Sequence, residues 1–185
     1  MYKPENIHQL ESWLISKVVN IAQWGTGAAK SVQDLWNEIA SGESQLEDNP
    51  PQRVVEVVDV IVRAGNRILM EGKQQFSDGR QRYRGIPLSE KIKPGESHVD
   101  AAIRGLKEEL QVNSSDVKVL EASLQPQLIL EESQSYPGLR TKYVVHKVEV
   151  EVDNLPGQDF WTYESQSNHD DVVKRHQWHW VAKDL

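Results

Sequence analysis

The chain has 185 residues, enough for one domain of the usual ~100–200 residues with an appendage. Its 26% charged residues, the lack of an apolar stretch near ~20 residues and the lack of an N-terminal signal pattern argue against a membrane or secreted protein, and we expect a cytoplasmic one. Because there is no cysteine, any metal must be held by carboxylate, carbonyl or imidazole groups. The net charge of −7 makes general nucleic-acid binding an unfavoured function, although it leaves room for a local basic patch.

The first 41 residues predict two helices. Apolar residues recur at the spacing of one helical face, first at Ile7, Leu10, Leu14 and Val18 and then at Val32, Leu35, Trp36 and Ile39. Two such helices cannot enclose a core alone, so we expect them to pack on another part of the chain. Ser, Gly, Pro and acidic residues dominate 42–52, which predicts a linker. We therefore expect a helical N-terminal extension over 1–41, a linker over 42–52 and a single domain over 53–185.

From residue 53 onward the pattern is that of an α+β domain. β-Branched residues crowd 53–63, a turn follows, and 67–76 can return as a hairpin partner. A short extended segment ends near Gly85. A helix is predicted at about 98–111, and further strands are predicted at 117–130, 141–152 and 172–181. Strands that surround one helix indicate an α/β or α+β fold rather than an all-helical one.

The segment 84–112 carries the strongest chemical signal. Pro94–Gly95 predicts a turn, and Ser97 stands three residues before Asp100 as in a capping box, so the helix is expected to begin at His98. Its apolar face is predicted at Val99, Ala102, Ile103, Leu106 and Leu110. Glu108 and Glu109 lie off that face, and Glu96 precedes the helix. Carboxylates beside a turn are the hard oxygen ligands that Mg²⁺ or Mn²⁺ accepts.

This segment resembles the Nudix box, in which seven residues separate a glutamate from an Arg-Glu pair and a Glu-Glu pair follows. Six positions stand in register, namely Glu96, Arg104, Leu106, Glu108, Glu109 and Val112. Three positions depart: Glu90 and Gln111 replace glycines, and Gly105 replaces the glutamate after the arginine.

The resemblance implies an α/β/α sandwich that hydrolyses a phosphoanhydride in a nucleoside diphosphate linked to another group, with Mg²⁺ or Mn²⁺ as cofactor. In the matching positions Glu108 and Glu109 are catalytic and hold metal. Glu96 is assigned to the metal site as well, and it is expected to pair with Arg104 and brace the loop. The implied partner is a small nucleoside diphosphate derivative, and the fold is compatible with a homodimer.

Gly105 leaves two functions open. A glutamate there would share the face of Glu108 and Glu109, so its loss either recruits another carboxylate or weakens metal binding. The replacement candidates are Glu90, Glu131, Glu132, Glu149 and Glu151. The alternative to an enzyme is a Nudix-derived module that has lost turnover and binds a nucleotide or a protein partner. If the cluster is merely incomplete, Gly105→Glu should raise metal affinity.

Arginine alternates at Arg80, Arg82 and Arg84, which places the three side chains on one side of an extended segment. Guanidinium groups bind phosphate oxygens in a bidentate manner, so Arg82 and Arg84 are candidates for substrate binding. The competing interpretation is an exposed strand whose charge prevents edge pairing.

Histidine and tryptophan cluster near the C-terminal end. His169, Asp170, Asp171, His176 and His179 are interpreted as a polar loop with partly buried imidazoles rather than a metal site. The six tryptophans lie only near the two ends, which predicts that the N-terminal helices pack near the C-terminal strand.

Overall fold

The computed structural model describes residues 1–27, 29–163 and 173–182. Within them lie the helices α1 (Ile7–Ser16), α2 (Val32–Ala40) and α3 (His98–Leu110) and a short 3-10 turn at Ser114–Asp116. The strands are β1 (Gln45–Asp48), β2 (Pro51–Ala64), β3 (Arg67–Phe76), β4 (Gln81–Ile86), β5 (Leu88–Lys91), β6 (Val117–Ala122), β7 (Gln127–Glu132), β8 (Arg140–Val152), β9 (Phe160–Tyr163) and β10 (Val173–Ala182). The α+β fold class is confirmed. None of the described helices combines the length and apolar character needed to cross a membrane.

The chain divides into two compact units. Unit 1 comprises Met1–Val57, Lys91–Gly95 and Pro126–Val145, and unit 2 comprises Val58–Glu90, Glu96–Gln125 and His146–Leu185. The division differs from the expected boundary at residue 53, because the long strands β2 and β8 contribute residues to both units.

The stretch predicted as a linker contains a strand. β1 pairs antiparallel with the beginning of β2, with Gln45 opposite Val54 and Asp48 opposite Pro51. Leu46 is fully buried and anchors this strand. The turn-forming residues around it made the segment resemble a linker, whereas one buried leucine and strand pairing determine its structure.

Unit 1 packs its two helices on the connection between β7 and β8. The buried cluster consists of Leu10, Trp13, Leu14, Val19, Trp24, Leu35, Leu46, Tyr136 and Leu139. Beyond the first 41 residues, the members of this cluster are Leu46, Tyr136 and Leu139. Val18 does not join the face predicted for it, because α1 ends at Ser16 and Val18 is 91% exposed with a φ of 61°.

Unit 2 is a sheet with one helix. Its strands lie in the order β6-β8-β2-β3-β10-β9, to which β2 and β8 contribute the parts that belong to this unit. β4 pairs with β3 on the edge that faces away from β10. The segment predicted as one strand at 117–130 is two strands, β6 and β7, and β5 and β9 were not predicted. Each of these unpredicted elements has only four residues, too few for a clear periodic signal.

Helix α3 begins as predicted. The Ser97 hydroxyl accepts a hydrogen bond from the Asp100 amide at 3.1 Å, which caps the first turn. Its buried face is Ala101, Ala102, Gly105, Leu106 and Leu110, so the face is rotated from the one predicted, and Val99 and Ile103 are only partly buried. This rotation buries Gly105 and leaves the Glu109 side chain only 13% exposed.

Candidate functional site

Arg104 gathers three of the glutamates that the sequence singled out. Its Nε and Nη2 atoms donate to the two carboxylate oxygens of Glu96 at 2.9 and 3.0 Å, which confirms the expected ion pair. Its Nη1 lies 3.1 Å from Glu90 Oε1 and 3.4 Å from Glu108 Oε2. The hydrogen bonds with Glu96, aided by the charge of Glu90 and opposed by burial, raise the pKa of Arg104 above its ordinary value. Arg104 therefore ties the loop, β5 and α3 together through one guanidinium.

Glu109 joins a different set of side chains. His176 Nδ1 lies 2.6 Å from Glu71 Oε1 and 3.5 Å from Glu109 Oε2. Each of the three residues offers a ligand atom, and these atoms all lie within 4.8 Å of one another. β3 supplies Glu71, α3 supplies Glu109 and β10 supplies His176. Among the described residues, these three form the group whose ligand atoms lie close enough for one ion; Glu96 and Glu108 are not members of it, and their role at a metal stays a prediction.

The Glu71 and His176 side chains are held in place by burial and by their contacts. Glu71 and His176 have side chains only 1% and 2% exposed. The His176 ring stacks at 5.8 Å on that of Trp178, whose Nε1 donates to Thr162 Oγ1 at 2.7 Å. A buried imidazole fixed by stacking and by a carboxylate keeps one orientation, which is what a ligand or a proton donor requires.

Arg84 supplies a positive charge next to this group of three side chains. Its Nε donates to Glu71 Oε2 at 3.2 Å, on the carboxylate oxygen that His176 does not contact. Burial raises the pKa of Glu71, but the hydrogen bond and charge of His176, together with Arg84, outweigh it and hold that pKa below its ordinary value. Glu71 is therefore ionised in the folded protein at neutral pH.

Arg82, the second predicted phosphate ligand, has other contacts. Its Nε donates to Gln74 Oε1 at 3.1 Å, and its guanidinium lies 5.5 Å from the centre of the Phe76 ring. Arg80 pairs with Asp78 at the hairpin end. Of the three alternating arginines, Arg84 is the one in contact with the Glu71 carboxylate.

Gly105 has a packing role that the sequence did not reveal. A Cβ atom at this position would stand 3.0 Å from Leu88 Cδ2 and 3.1 Å from Glu90 Cβ. Leu88 is 1% exposed and has little room to move. A glutamate at 105 would therefore press against β5, and the expectation that it would simply complete an acidic cluster is not supported by this packing.

The carboxylate that lies near Glu109 is one that the sequence did not suggest. Glu90 lies against Gly105 but pairs with Arg104, while Glu149 pairs with Arg63 at 2.8 Å and Glu151 with Lys118 at 3.3 Å. Glu131 and Glu132 lie on the exposed strand β7 of unit 1. The carboxylate beside Glu109 is Glu71.

Glu71 and His176 carried weak sequence signals. Glu71 directly follows the apolar residues Ile68, Leu69 and Met70 and precedes Gly72, a local conflict that indicates a functional residue or a bulge. His176 was placed in a polar loop with His169, Asp170 and Asp171, which lie outside the described residues. The contact between Glu71 and His176 could not be predicted, because these two residues are 105 positions apart in the chain.

The donor set suits a divalent ion. Two carboxylates with one imidazole match Mn²⁺ or Zn²⁺ better than Mg²⁺, which prefers oxygen ligands alone. Ligand atoms on opposite sides of an ion stand about 4.2 Å apart when each bond is about 2.1 Å. Small side-chain shifts would therefore let the three groups surround an ion, provided that His176 Nδ1 carries no proton.

Comparisons with known proteins found remote similarities. No family model and no curated protein matches the chain. Similar solved structures include a C. elegans Ap4A hydrolase in a binary complex, at 18% identity over 69% of this chain and 79% of that chain, with a TM-score of 0.39. A NUDIX-family hydrolase from Clostridium perfringens has 15% identity over 69% and 80% of the two chains, also at 0.39. A NUDIX hydrolase from Nitrosomonas europaea has 13% identity over 67% and 71%, again at 0.39.

Proposed function

We propose that unit 2 is a Nudix-type hydrolase that cleaves a phosphoanhydride bond in a nucleoside diphosphate derivative, with a divalent metal ion held by Glu71, Glu109 and His176. The observation that carries the proposal is the position of Glu109. It comes from the segment that resembles the Nudix box, and it meets a second carboxylate and an imidazole within 4.8 Å. The proposed reaction adds water across one P–O–P linkage and leaves two phosphate-ended products.

Glu71, Glu109 and His176 have different roles in the proposed reaction. A bound Mn²⁺ or Mg²⁺ would lower the pKa of a water molecule and neutralise charge on the phosphate oxygens. Glu71 and His176 are buried and give a rigid base to the site, while Glu109 is the most exposed of the three. The open position for water and substrate therefore lies on the Glu109 side.

Two arginines support this arrangement in different ways. Arg84 is 26% exposed and already beside Glu71, so its guanidinium is placed to neutralise a substrate phosphate next to the ion. Arg104 holds Glu90, Glu96 and Glu108 and so keeps the helix and its preceding loop in position. Glu96 and Glu108 therefore act as positioning residues in this proposal.

The test is a hydrolysis assay with a matched control. Purified protein is offered nucleoside triphosphates, dinucleoside polyphosphates, NADH and ADP-ribose with Mn²⁺ or Mg²⁺, and released phosphate or nucleotide is measured. Glu109→Gln removes one ligand charge and should lower the rate by roughly 100-fold or more, beyond the loss typical of groups that only support ligands. Glu121→Gln makes the same change on the exposed part of β6 and should leave the rate unchanged.

Metal binding gives a second readout. Titration calorimetry with Mn²⁺ should show one site that both Glu109→Gln and Glu71→Gln remove. Hydrolysis that survives Glu109→Gln, or Mn²⁺ binding that survives both changes, would contradict the assignment.

A binding module without turnover is the second candidate, and burial favours it. Glu71 and His176 are almost inaccessible, and their 2.6 Å contact is the distance of a hydrogen bond between the two side chains. Such a protein would bind a nucleotide in the same assay mixtures and release no product. Retained ligand binding with no hydrolysis of any substrate would support this candidate over the enzyme.

A further inference from the structure

The strands β4, β3, β10 and β9 carry a solvent-facing surface with an unusual composition. Two rows of residues, each paired across all four strands, lie on it: Tyr83–Lys73–Gln177–Trp161 and Gln81–Gln75–Arg175–Tyr163. We call these eight residues the stacking face. The row between them, Arg82–Gln74–His176–Thr162, belongs to the opposite side of the sheet, because successive side chains of a strand point to opposite faces.

Three aromatic side chains on this face are open to solvent. Tyr83 is 70% exposed, Tyr163 is 54% exposed and Trp161 is 38% exposed. A monomer rarely leaves several large aromatic side chains on one face unless that face binds something. The stacking face is therefore suited to a ligand with flat aromatic surfaces.

The charge on the face has the opposite sign to that of the chain. Its eight residues include Lys73 and Arg175 and no carboxylate, whereas the whole chain carries −7. The Arg175 guanidinium lies 4.5 Å from the centre of the Trp161 ring, so a cation and an aromatic surface are presented together. The ligand that suits the face is both aromatic and anionic.

A cavity extends the face at one end. It has a volume of about 280 Å³ and is lined by Gln75, Phe76, Ser77, Gly79, Tyr163, Lys174 and Arg175. The Arg80 guanidinium lies 5.3 Å from the centre of the Phe76 ring at the same hairpin. The cavity thus repeats the pairing of aromatic rings with cations and adds Lys174 to the positive groups.

We propose that the stacking face binds single-stranded nucleic acid. Bases stack on Tyr83, Trp161 and Tyr163, and phosphates lie against Lys73, Arg175 and Lys174. Every base has an aromatic face, so such a surface tolerates many sequences, and strands with unpaired bases are its natural ligand. A duplex hides its base faces and offers only phosphates, so it binds more weakly. The overall charge predicted no general affinity for nucleic acid, and this proposal rests instead on one local surface.

The proposal is independent of the proposed hydrolase. His176 faces the other side of the sheet from Arg175, so the two functions use different surfaces. Binding can therefore be measured with EDTA present, so that no divalent ion takes part.

The experiment uses fluorescence anisotropy with the full chain at low salt. The probes are labelled single strands of RNA and DNA of about ten nucleotides, within the roughly 4–16 nucleotides of comparable sheet surfaces, and a duplex of the same sequence. Both single strands should bind, and the duplex should bind at least tenfold more weakly. A stronger RNA signal would assign the ligand to RNA through its 2′-hydroxyl groups, and equal signals would assign it to either strand type.

Variants show whether the face itself is responsible. Trp161→Ala and Tyr163→Ala should each weaken binding about tenfold, whereas Trp161→Phe keeps a ring and should retain most of it. Lys73→Gln should reduce the dependence of log K on log salt by about 0.7. Lys118→Gln removes the same charge from an exposed lysine off the face and should change nothing.

Three results would overturn the proposal. They are no binding of either single strand, equal binding of the duplex, and unchanged binding by the folded Trp161→Ala and Tyr163→Ala variants. Sedimentation that shows a dimer lost in the Trp161→Ala variant would assign the face to a second copy of the chain instead. Circular dichroism of each variant confirms that it is folded, and the reduced salt dependence of Lys73→Gln provides the test if an alanine variant fails to fold.

Discussion

Each unit buries a glutamate, and the two carboxylates have opposite surroundings. Glu38 in unit 1 lies 2.8 Å from Lys30, 2.6 Å from Arg53 and 2.8 Å from Lys91. Glu71 in unit 2 faces one arginine, one imidazole and a second carboxylate at the His176 ring. Both are under 10% exposed, at 6% and 1%. Burial alone therefore does not separate them.

The balance of charge does separate them. Burial raises the pKa of Glu38, but Arg53, Lys91 and Lys30 outweigh burial and hold that pKa far below its ordinary value. Burial and the charge of Glu38 in turn raise the pKa of Tyr136. Tyr136 therefore stays protonated, and its hydroxyl donates a hydrogen bond to Glu38 Oε1 at 3.1 Å. Three cations around one carboxylate leave an added ion nothing to neutralise. At the second site, the carboxylates of Glu71 and Glu109 face only one arginine and one imidazole, so an added cation would still find negative charge to neutralise.

The largest effect should follow from removing Glu38. Glu38→Ala leaves Arg53, whose side chain is 4% exposed, as an uncompensated buried charge. We expect a loss of about 3–5 kcal/mol in the free energy of unfolding. Urea unfolding followed by tryptophan fluorescence measures it, because Trp13 and Trp24 are buried in the same unit.

The control for that change is Glu43→Gln. Glu43 also pairs with Lys91, at 3.2 Å, but its side chain is 30% exposed. Its loss should cost about 1 kcal/mol or less. Equal effects at Glu38 and Glu43 would show that the buried cluster has no special role.

Acid should remove the contribution of Glu38 progressively. Its pKa in the folded chain lies below the ordinary 4.5, so its stabilising contribution is complete above that pH and is lost as the pH falls below it. The free energy of unfolding should therefore fall progressively below about pH 5 and keep falling until the pH reaches the lowered pKa of Glu38. Glu38→Gln should be less stable at neutral pH and less sensitive to acid, and parallel pH profiles would exclude this explanation.

An added divalent ion should distinguish the two carboxylates directly. Mn²⁺ at 100 times its Kd should stabilise the folded protein by about 2.7 kcal/mol and raise Tm accordingly. Glu109→Gln should abolish the shift, while Glu38→Gln should preserve it. Calorimetric melting with Mn²⁺ and with EDTA measures the difference, and a shift that survives Glu109→Gln would place the ion elsewhere.

A smaller effect is expected at Gly105. Alanine gains about 1 kcal/mol of helix propensity but crowds Leu88 and Glu90, at a cost of about 1–3 kcal/mol. We expect Gly105→Ala to lose about 1 kcal/mol and Gly105→Glu to lose more, without a gain in Mn²⁺ affinity. Urea unfolding and Mn²⁺ titration measure the two quantities, and tighter Mn²⁺ binding by a stable Gly105→Glu would restore the interpretation of an incomplete cluster.

The elements predicted well are those specified by local signals. α3 has a cap at Ser97, a turn before it and an apolar stripe, and its beginning was predicted to the residue. β3 matched its predicted range because a turn bounds it on each side. β1, β5 and β9 have only four residues each, too few for a periodic pattern, so their strands are recognised only from their pairing partners.

What the sequence by itself determined is the local geometry of the helix and its loop. The start of α3 followed from the Ser97 cap and the turn before it, and the ion pair of Glu96 with Arg104 was expected from the resemblance of the segment to the Nudix box. The contact of Glu108 with Arg104 is local to the helix, because the two residues are four positions apart. Tertiary structure alone decided that Glu109 would meet Glu71 and His176. That choice depends on the rotation of α3 on the sheet and on the register of β3 with β10, and both are set by packing between segments far apart in the chain.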